Sequence, residues 1–352
     1  MSINIAFVVG LSDAKALQKI APLQSLPQVV RIDIFRRLPL QGVKLFWLQI
    51  PRMFRKSVLL AELSRICLLF ITAHRYDVII GCHFKYHCLW AYLASRLWRK
   101  PLIQLITSDV NIECANYFFR RAILNANACG VRGPVSAKML RRLGYNKRIA
   151  VINNAYSIHS EKEEHSENIL YDLVVVSHYF SYAKDFPWMM EVLHEVNKQY
   201  APFRVAMVGS QLQEKLHNQI IKYSLGNVLY FFGYKSQSEI SDVYNQSRAL
   251  LLTSRYEGLP MAIIEAMAHG LPCFATRVGD IPWLVREGIE GKLVDHGDTQ
   301  TLVSTIVNAL QNPGEITKMG KNARNRHNAL MPRFEISAIA SAWNILLNAA
   351  VH

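Results

Sequence analysis

A chain of 352 residues that is 51% hydrophobic and 19% charged is long enough for about two domains with separate cores. Six cysteines without a Cys-x-x-Cys pair exclude a zinc or disulfide framework and read as reduced packing residues of a cytoplasmic protein. The net charge of +14 is uneven: residues 1–150 hold 23 Lys+Arg against 6 Asp+Glu, and residues 151–352 hold 17 against 20, so the first half calls for a polyanionic partner.

From the N-terminus, Met-Ser-Ile-Asn-Ile runs straight into a strand pattern, with no signal peptide ahead of it. Apolar runs then alternate with helical patterns, which predicts βα units and parallel sheets. Strands are expected at 3–9, 29–34, 77–82, 102–106, 128–131 and 149–152, and again at 173–176, 205–208, 228–232, 249–252, 273–275 and 292–294. Residues 31–56 carry Arg31, Arg36, Arg37, Lys44, Arg52, Arg55 and Lys56 against Asp33 alone, interleaved with aromatic and aliphatic side chains. That composition suits an anionic membrane surface, or a solvated basic face beside core residues. The apolar run 57–73 is broken by Glu62 and Arg65, which argues against a spanning helix. Residues 159–168 (HSEKEEHSEN) are polar and aperiodic, as a linker is. Further on, Ser236-Gln237-Ser238-Glu239 reads as a capping box, and Asp298 as a cap. The expected architecture is α/β, with two doubly wound domains.

The stretch RYEGLPMAIIEAMAHGLP, 255–272, carries the chemistry. Pro260 suits the first turn of a helix, and Gly270 its stop. The residues between are apolar on every side except Glu265, which predicts a buried helix with a single carboxylate. Such a carboxylate either pairs with an arginine in the core or serves a ligand. Glu257-Gly258-Leu259-Pro260 places a glycine at the helix start, where free N–H groups and the helix dipole favour an anion. Two carboxylates flanking an anion site could hold hydroxyls on both of its sides.

These motifs resemble those of the retaining glycosyltransferases of family 4, which have the GT-B fold of two Rossmann-like domains facing across a cleft. Ser254-Arg255-Tyr256-Glu257-Gly258 followed by Glu265-Ala266-Met267-Ala268-His269-Gly270 matches the family's E-x7-E signature. Val208-Gly209, Phe232-Gly233-Tyr234, Val278-Gly279-Asp280 and Glu290-Gly291-Lys292 follow the same order as in the family. The resemblance covers about 170–312 densely and the first half loosely. It implies an acceptor-side domain at 1–160, a nucleotide-sugar domain at 169–333, and a helix at 334–352 crossing back to the first.

By the same resemblance, Glu265 accepts hydrogen bonds from ribose hydroxyls, and Glu257 faces the donor sugar. Gly258, Leu259, Pro260 and Met261 approach the diphosphate, and Tyr234 lies beside the nucleobase. Lys184 reaches the phosphates, while the family's arginine place falls on Tyr179, or on His178 if the register slips by one. Where the family has a histidine after the 102–106 strand, this chain reads Thr107-Ser108-Asp109, so Asp109 or the strand-end His83 would replace it. No cofactor or metal is expected, since Asp-x-Asp and His/Cys clusters are missing and the family generally needs none. Gly-x-Gly-x-x-Gly is missing after Val9, against a dinucleotide oxidoreductase, and no nucleic-acid motif stands beside the basic residues. The implied reaction moves a hexose-type sugar from a nucleotide diphosphate, UDP favoured, to a glycan or lipid-linked hydroxyl. The implied place is the cytoplasm or the inner face of its membrane. The alternative is a silent nucleotide-sugar-binding protein.

Overall fold

The computed structural model describes residues 2–11, 13–36, 46–47, 57–82, 86–156, 168–177, 181–209 and 214–351. It contains two compact units, Met1–Ser157 with Pro332–His352, and Ile158–Met331.

In the first unit, β1 (Ile3–Val9), β2 (Val29–Phe35), β3 (Phe46–Trp47), β4 (Val78–Cys82), β5 (Leu102–Leu105), β6 (Ala128–Val131) and β7 (Arg148–Val151) form one parallel sheet. Its order is β3-β2-β1-β4-β5-β6-β7. Helices α1 (Asp13–Gln24), α2 (Val58–Thr72), α3 (Tyr86–Trp98), α4 (Val110–Glu113), α5 (Tyr117–Leu124) and α6 (Pro134–Arg142) connect the strands. The C-terminal helix Ile336–Val351 belongs to this unit. Its Trp343 is fully buried, meets Phe7 edge-on at 6.3 Å, and donates from Nε1 to the Lys19 carbonyl at 3.1 Å. With helices over both faces, β1 and β4 have no polar face, and their sequences accordingly read as apolar runs, broken only by Asn4 near the start of β1.

The second unit has β8 (Tyr171–Ser177), β9 (Val205–Gly209), β10 (Leu229–Gly233), β11 (Ser247–Leu252), β12 (Cys273–Thr276) and β13 (Gly291–Val294), parallel in the order β10-β9-β8-β11-β12-β13. Its helices are α7 (Phe186–Gln199), α8 (Glu214–Lys222), α9 (Gln237–Asn245), α10 (Met261–Ala268), α11 (Ile281–Leu284), α12 (Thr299–Gln311) and α13 (Pro313–Leu330). The Ser236 capping box forms on α9, and Asp298 Oδ1 accepts from Thr301 N–H at 3.1 Å on α12. Strand order reverses between β8 and β11, which makes the gap beyond their carboxyl ends the topological switch point.

All the expected strands form, with ends within two residues of expectation. The two-residue β3 was not foreseen, because two residues carry no periodicity. The expected linker at 159–168 falls almost wholly outside the described residues.

Candidate functional site

At the switch point of the second unit, two loop segments are sewn together. The turn Tyr182–Lys184 follows β8, and residues 253–258 leave β11. Arg255 N–H donates to the Ala183 carbonyl at 2.7 Å, and Thr253 Oγ1 to the Lys184 carbonyl at 3.1 Å. The stitching brings Lys184 Nζ into an ion pair with Glu257 Oε1, which also accepts from Ser254 Oγ at 2.7 Å. Both side chains keep some solvent contact, 22% for Lys184 and 13% for Glu257, so a ligand can reach a pair that is otherwise desolvated. Next in the chain, buried Asp185 adopts the left-handed conformation, φ 45° and ψ 57°, which Asp tolerates better than most residues. Its Oδ2 accepts from Arg255 Nη2 at 2.8 Å and faces His296 Nε2 at 2.7 Å, which holds that backbone in place.

Helix α10 starts one residue later than expected, at Met261, with Pro260 as its cap. Proline offers no side-chain acceptor, and the N–H groups of Gly258, Leu259, Met261 and Ala262 have no protein acceptor among the described residues. Gly279 (φ +54°) braces the loop from behind: a Cβ there would lie 2.1 Å from the Glu257 carbonyl oxygen. Its neighbour Asp280 donates from N–H to the Gly258 carbonyl at 2.9 Å. At the other end, Leu271 N–H to Ala266 (2.9 Å) and Gly270 N–H to Met267 (3.0 Å), with Gly270 at φ +70°, form a Schellman stop.

The helix is not buried all round, contrary to its composition. Ile263, Ile264, Ala266, Met267 and Ala268 are buried, but Met261, Ala262 and Glu265 share a half-exposed face at i, i+1 and i+4. Glu265 has no ion pair among the described residues. Its partner is Tyr244 Oη, which donates to Oε2 at 3.3 Å. Burial raises the Glu265 pKa, and the Tyr244 bond works against that shift. A carboxylate with one weak neutral donor keeps free acceptor capacity on an open face.

The other candidates differ in what surrounds them. Tyr234 follows Gly233 (φ +65°) at the end of β10 with its side chain exposed. His83, His178 and Tyr179 lie outside the described residues, as does most of the basic segment 31–56. Within that segment, Arg31 is paired with Asp33 at 2.8 Å and Arg36 with Asp13 at 2.6 Å.

Asp109, which reads in sequence as free of structural duty, caps α4 by accepting from Asn111 N–H at 2.8 Å. Beside it stands Glu113, a residue the sequence reading missed, although Asp109 and Glu113 at i and i+4 around a helix start could have flagged it. Its Oε1 accepts from Thr107 N–H (2.9 Å) and Ser108 N–H (2.7 Å), while Oε2 is buried without a hydrogen-bond partner among the described residues. Burial first, and Asp109 less so, pushes the Glu113 carboxyl up to about 8. A carboxyl raised in the folded state binds its proton more tightly than in the unfolded chain, so it costs stability as pH rises from about 4.5 to about 8. Glu113→Gln should therefore raise stability by a few kcal/mol near pH 8 and change little near pH 4, since each tenfold change in proton affinity is worth about 1.4 kcal/mol. Thermal melts across that range test this, and parallel curves for both proteins would refute it.

Residues 157–326 match the family profile described as Glycosyl transferases group 1, which spans nearly all of the second unit. The second unit resembles the group 1 glycosyltransferases. The chain is 23% identical over 255 residues to an uncharacterized glycosyltransferase of Methanocaldococcus jannaschii, covering 70% of this chain and 69% of that one. It is 26% identical over 118 residues to the UDP-Gal:alpha-D-GlcNAc-diphosphoundecaprenol alpha-1,3-galactosyltransferase of Escherichia coli, 34% of this chain and 30% of that one. Among solved structures, Anabaena HepE in complex with UDP and glucose superposes with a TM-score of 0.74 at 19% identity, over 99% of this chain and 100% of that one. The fold is GT-B.

Proposed function

We propose that this protein is a retaining glycosyltransferase that moves a hexose-type sugar from a nucleotide diphosphate donor to an acceptor hydroxyl in envelope glycan or glycolipid synthesis. The observation that carries the proposal is the cluster at the head of α10: four N–H groups with no acceptor among the described residues, the Lys184–Glu257 pair beside them, and Glu265 on the open face of the same helix. In this reading the diphosphate sits on the N–H groups of Gly258 to Ala262, where the helix dipole adds to their pull. Glu265 takes the ribose diol, whose two O–H donors suit one carboxylate. UDP is the favoured carrier, supported by the Anabaena structure with UDP and by the UDP-galactose donor of the Escherichia coli relative.

As the glycosidic bond breaks, charge grows on the leaving phosphate. Lys184 and the N–H groups, held in place before the reaction, stabilise that charge without reorganising. The phosphate oxygen takes the acceptor's proton on the face it leaves, so configuration is retained and no covalent enzyme intermediate forms. Glu257 holds Lys184 in position and offers its second oxygen to the donor sugar. A lipid-linked acceptor is supported by the diphosphoundecaprenol substrate in the relative's name.

Thermal-shift measurements with UDP, GDP, ADP and their common sugars test the donor reading. A shift with one nucleoside diphosphate, together with slow hydrolysis of its sugar in the absence of acceptor, is expected. Binding without hydrolysis would leave a silent nucleotide-sugar binder, and no shift with any of them would refute the donor site.

A further inference from the structure

Helix α2 of the first unit is apolar on its outward side as well as on its buried one, where Ala61 and Leu69 lie. Leu59, Leu63, Cys67 and Ile71 recur every four residues and form its outward stripe, with Leu59 at 68%, Leu63 at 49% and Ile71 at 63% exposure. The charged residue that would normally point outward, Arg65, is buried and paired with Glu62. A helix of a water-facing surface has the opposite arrangement. The stripe continues onto α3. Trp98 donates from Nε1 to the Phe70 carbonyl at 2.7 Å, and its ring lies 5.0 Å from that of His74, so the two helix ends share one surface. There Leu97 is 60% and Trp98 40% exposed. Exposed Arg75, Arg96 and Arg99 flank them, and none of the three is ion-paired among the described residues. A contiguous outward apolar surface with a cationic rim needs a partner.

We propose that this face of α2 and α3 docks on an anionic lipid surface. The leucines and Trp98 enter the boundary between headgroups and acyl chains, and the arginines meet lipid phosphates. Charge complementarity selects this occupant. A second copy of the chain, paired through the same face, would set unpaired arginines against their own kind. No single helix among the described residues is long and apolar enough to cross a membrane, and α2 has 15 residues, so it would lie in the interface. The docking face belongs to the first unit alone and serves whatever the transfer reaction proves to be.

Co-sedimentation of the full chain with phosphatidylcholine vesicles, with and without about one third phosphatidylglycerol, tests it at low and high salt. Binding should require the anionic lipid and weaken with salt. The pair Leu59→Ser and Leu63→Ser should lower the partition coefficient about tenfold or more, at about 1 kcal/mol for each partly buried leucine. The separate pair Arg96→Gln and Arg99→Gln should do the same at low salt, with less effect at high salt. All four positions are exposed, so circular dichroism and melting should match the wild type. Equal binding to neutral and anionic vesicles would overturn the proposal, as would unchanged binding by both variant pairs. So would a wild-type dimer that the leucine variants dissolve, without vesicle binding.

Discussion

Replacing Lys184 with Ala should lower turnover by about 10²- to 10³-fold, the size of effect seen when one preorganised donor to a developing anion is lost. Donor affinity should fall by less than about tenfold, because the N–H groups of Gly258 to Ala262 still hold the ground-state diphosphate. The split follows from where charge appears: it grows on the leaving phosphate in the transition state, so a cation aimed there affects kcat more than binding. Lys184 is tied to Glu257 and to the exit of β11, and its ammonium arrives already placed. Removing it leaves Glu257 with Ser254 Oγ as its remaining donor, which makes Glu257→Gln the necessary companion. If Lys184 acts on the phosphate, Lys184→Ala in the Glu257→Gln background should still cost most of its effect. If the pair matters only as a pair, the double variant should be no worse than either single one. Wild-type turnover in Lys184→Ala would show that the leaving group is neutralised elsewhere.

How much of this could be read in advance depends on the range of each interaction. The strands were legible because parallel strands covered on both faces are short apolar runs, and residues 173–176 and 205–208 are apolar throughout. The head of α10 was legible because Glu257, Gly258, Pro260, Glu265 and Gly270 lie within fourteen residues, where local geometry alone sets their spacing. The Lys184–Glu257 pair spans 73 residues, and only the adjacency of β8 and β11 makes it.

Misreadings came where composition hid direction. In α10, small apolar residues surround Glu265, so no periodicity shows that Met261 and Ala262 open on the same side as the carboxylate. The capping role of Asp109 went unread, and Glu113 was missed, for a related reason. Both capture backbone N–H groups, and such capture depends on where the turn after β5 places them.

Glu265→Ala should weaken nucleoside diphosphate binding by about 2–4 kcal/mol, roughly 30- to 900-fold, if the carboxylate takes the ribose diol in a largely desolvated place. Two features of the site set this size. Glu265 is held by one 3.3 Å bond from Tyr244 and by no cation among the described residues, so little of its acceptor strength is used in the empty protein. Alanine also suits the helix, and the Schellman stop at Gly270 does not involve the side chain, so the fold should survive. Glu265→Gln keeps one carbonyl-type acceptor and should retain part of the affinity, with a loss near about 1–2 kcal/mol. The pH dependence separates this role from a structural one. Burial raises the Glu265 pKa, so as pH falls its charge is lost earlier than an ordinary glutamate's, and nucleotide affinity should decline in that range. Glu265→Gln should bind with no such decline. Calorimetry with UDP and uridine across mildly acidic pH would measure both, and the deficit of the variant should be as large for uridine as for UDP, because the lost bonds are to the sugar. A deficit that appeared only with the diphosphate would move Glu265 away from the ribose and towards the phosphate end of the site.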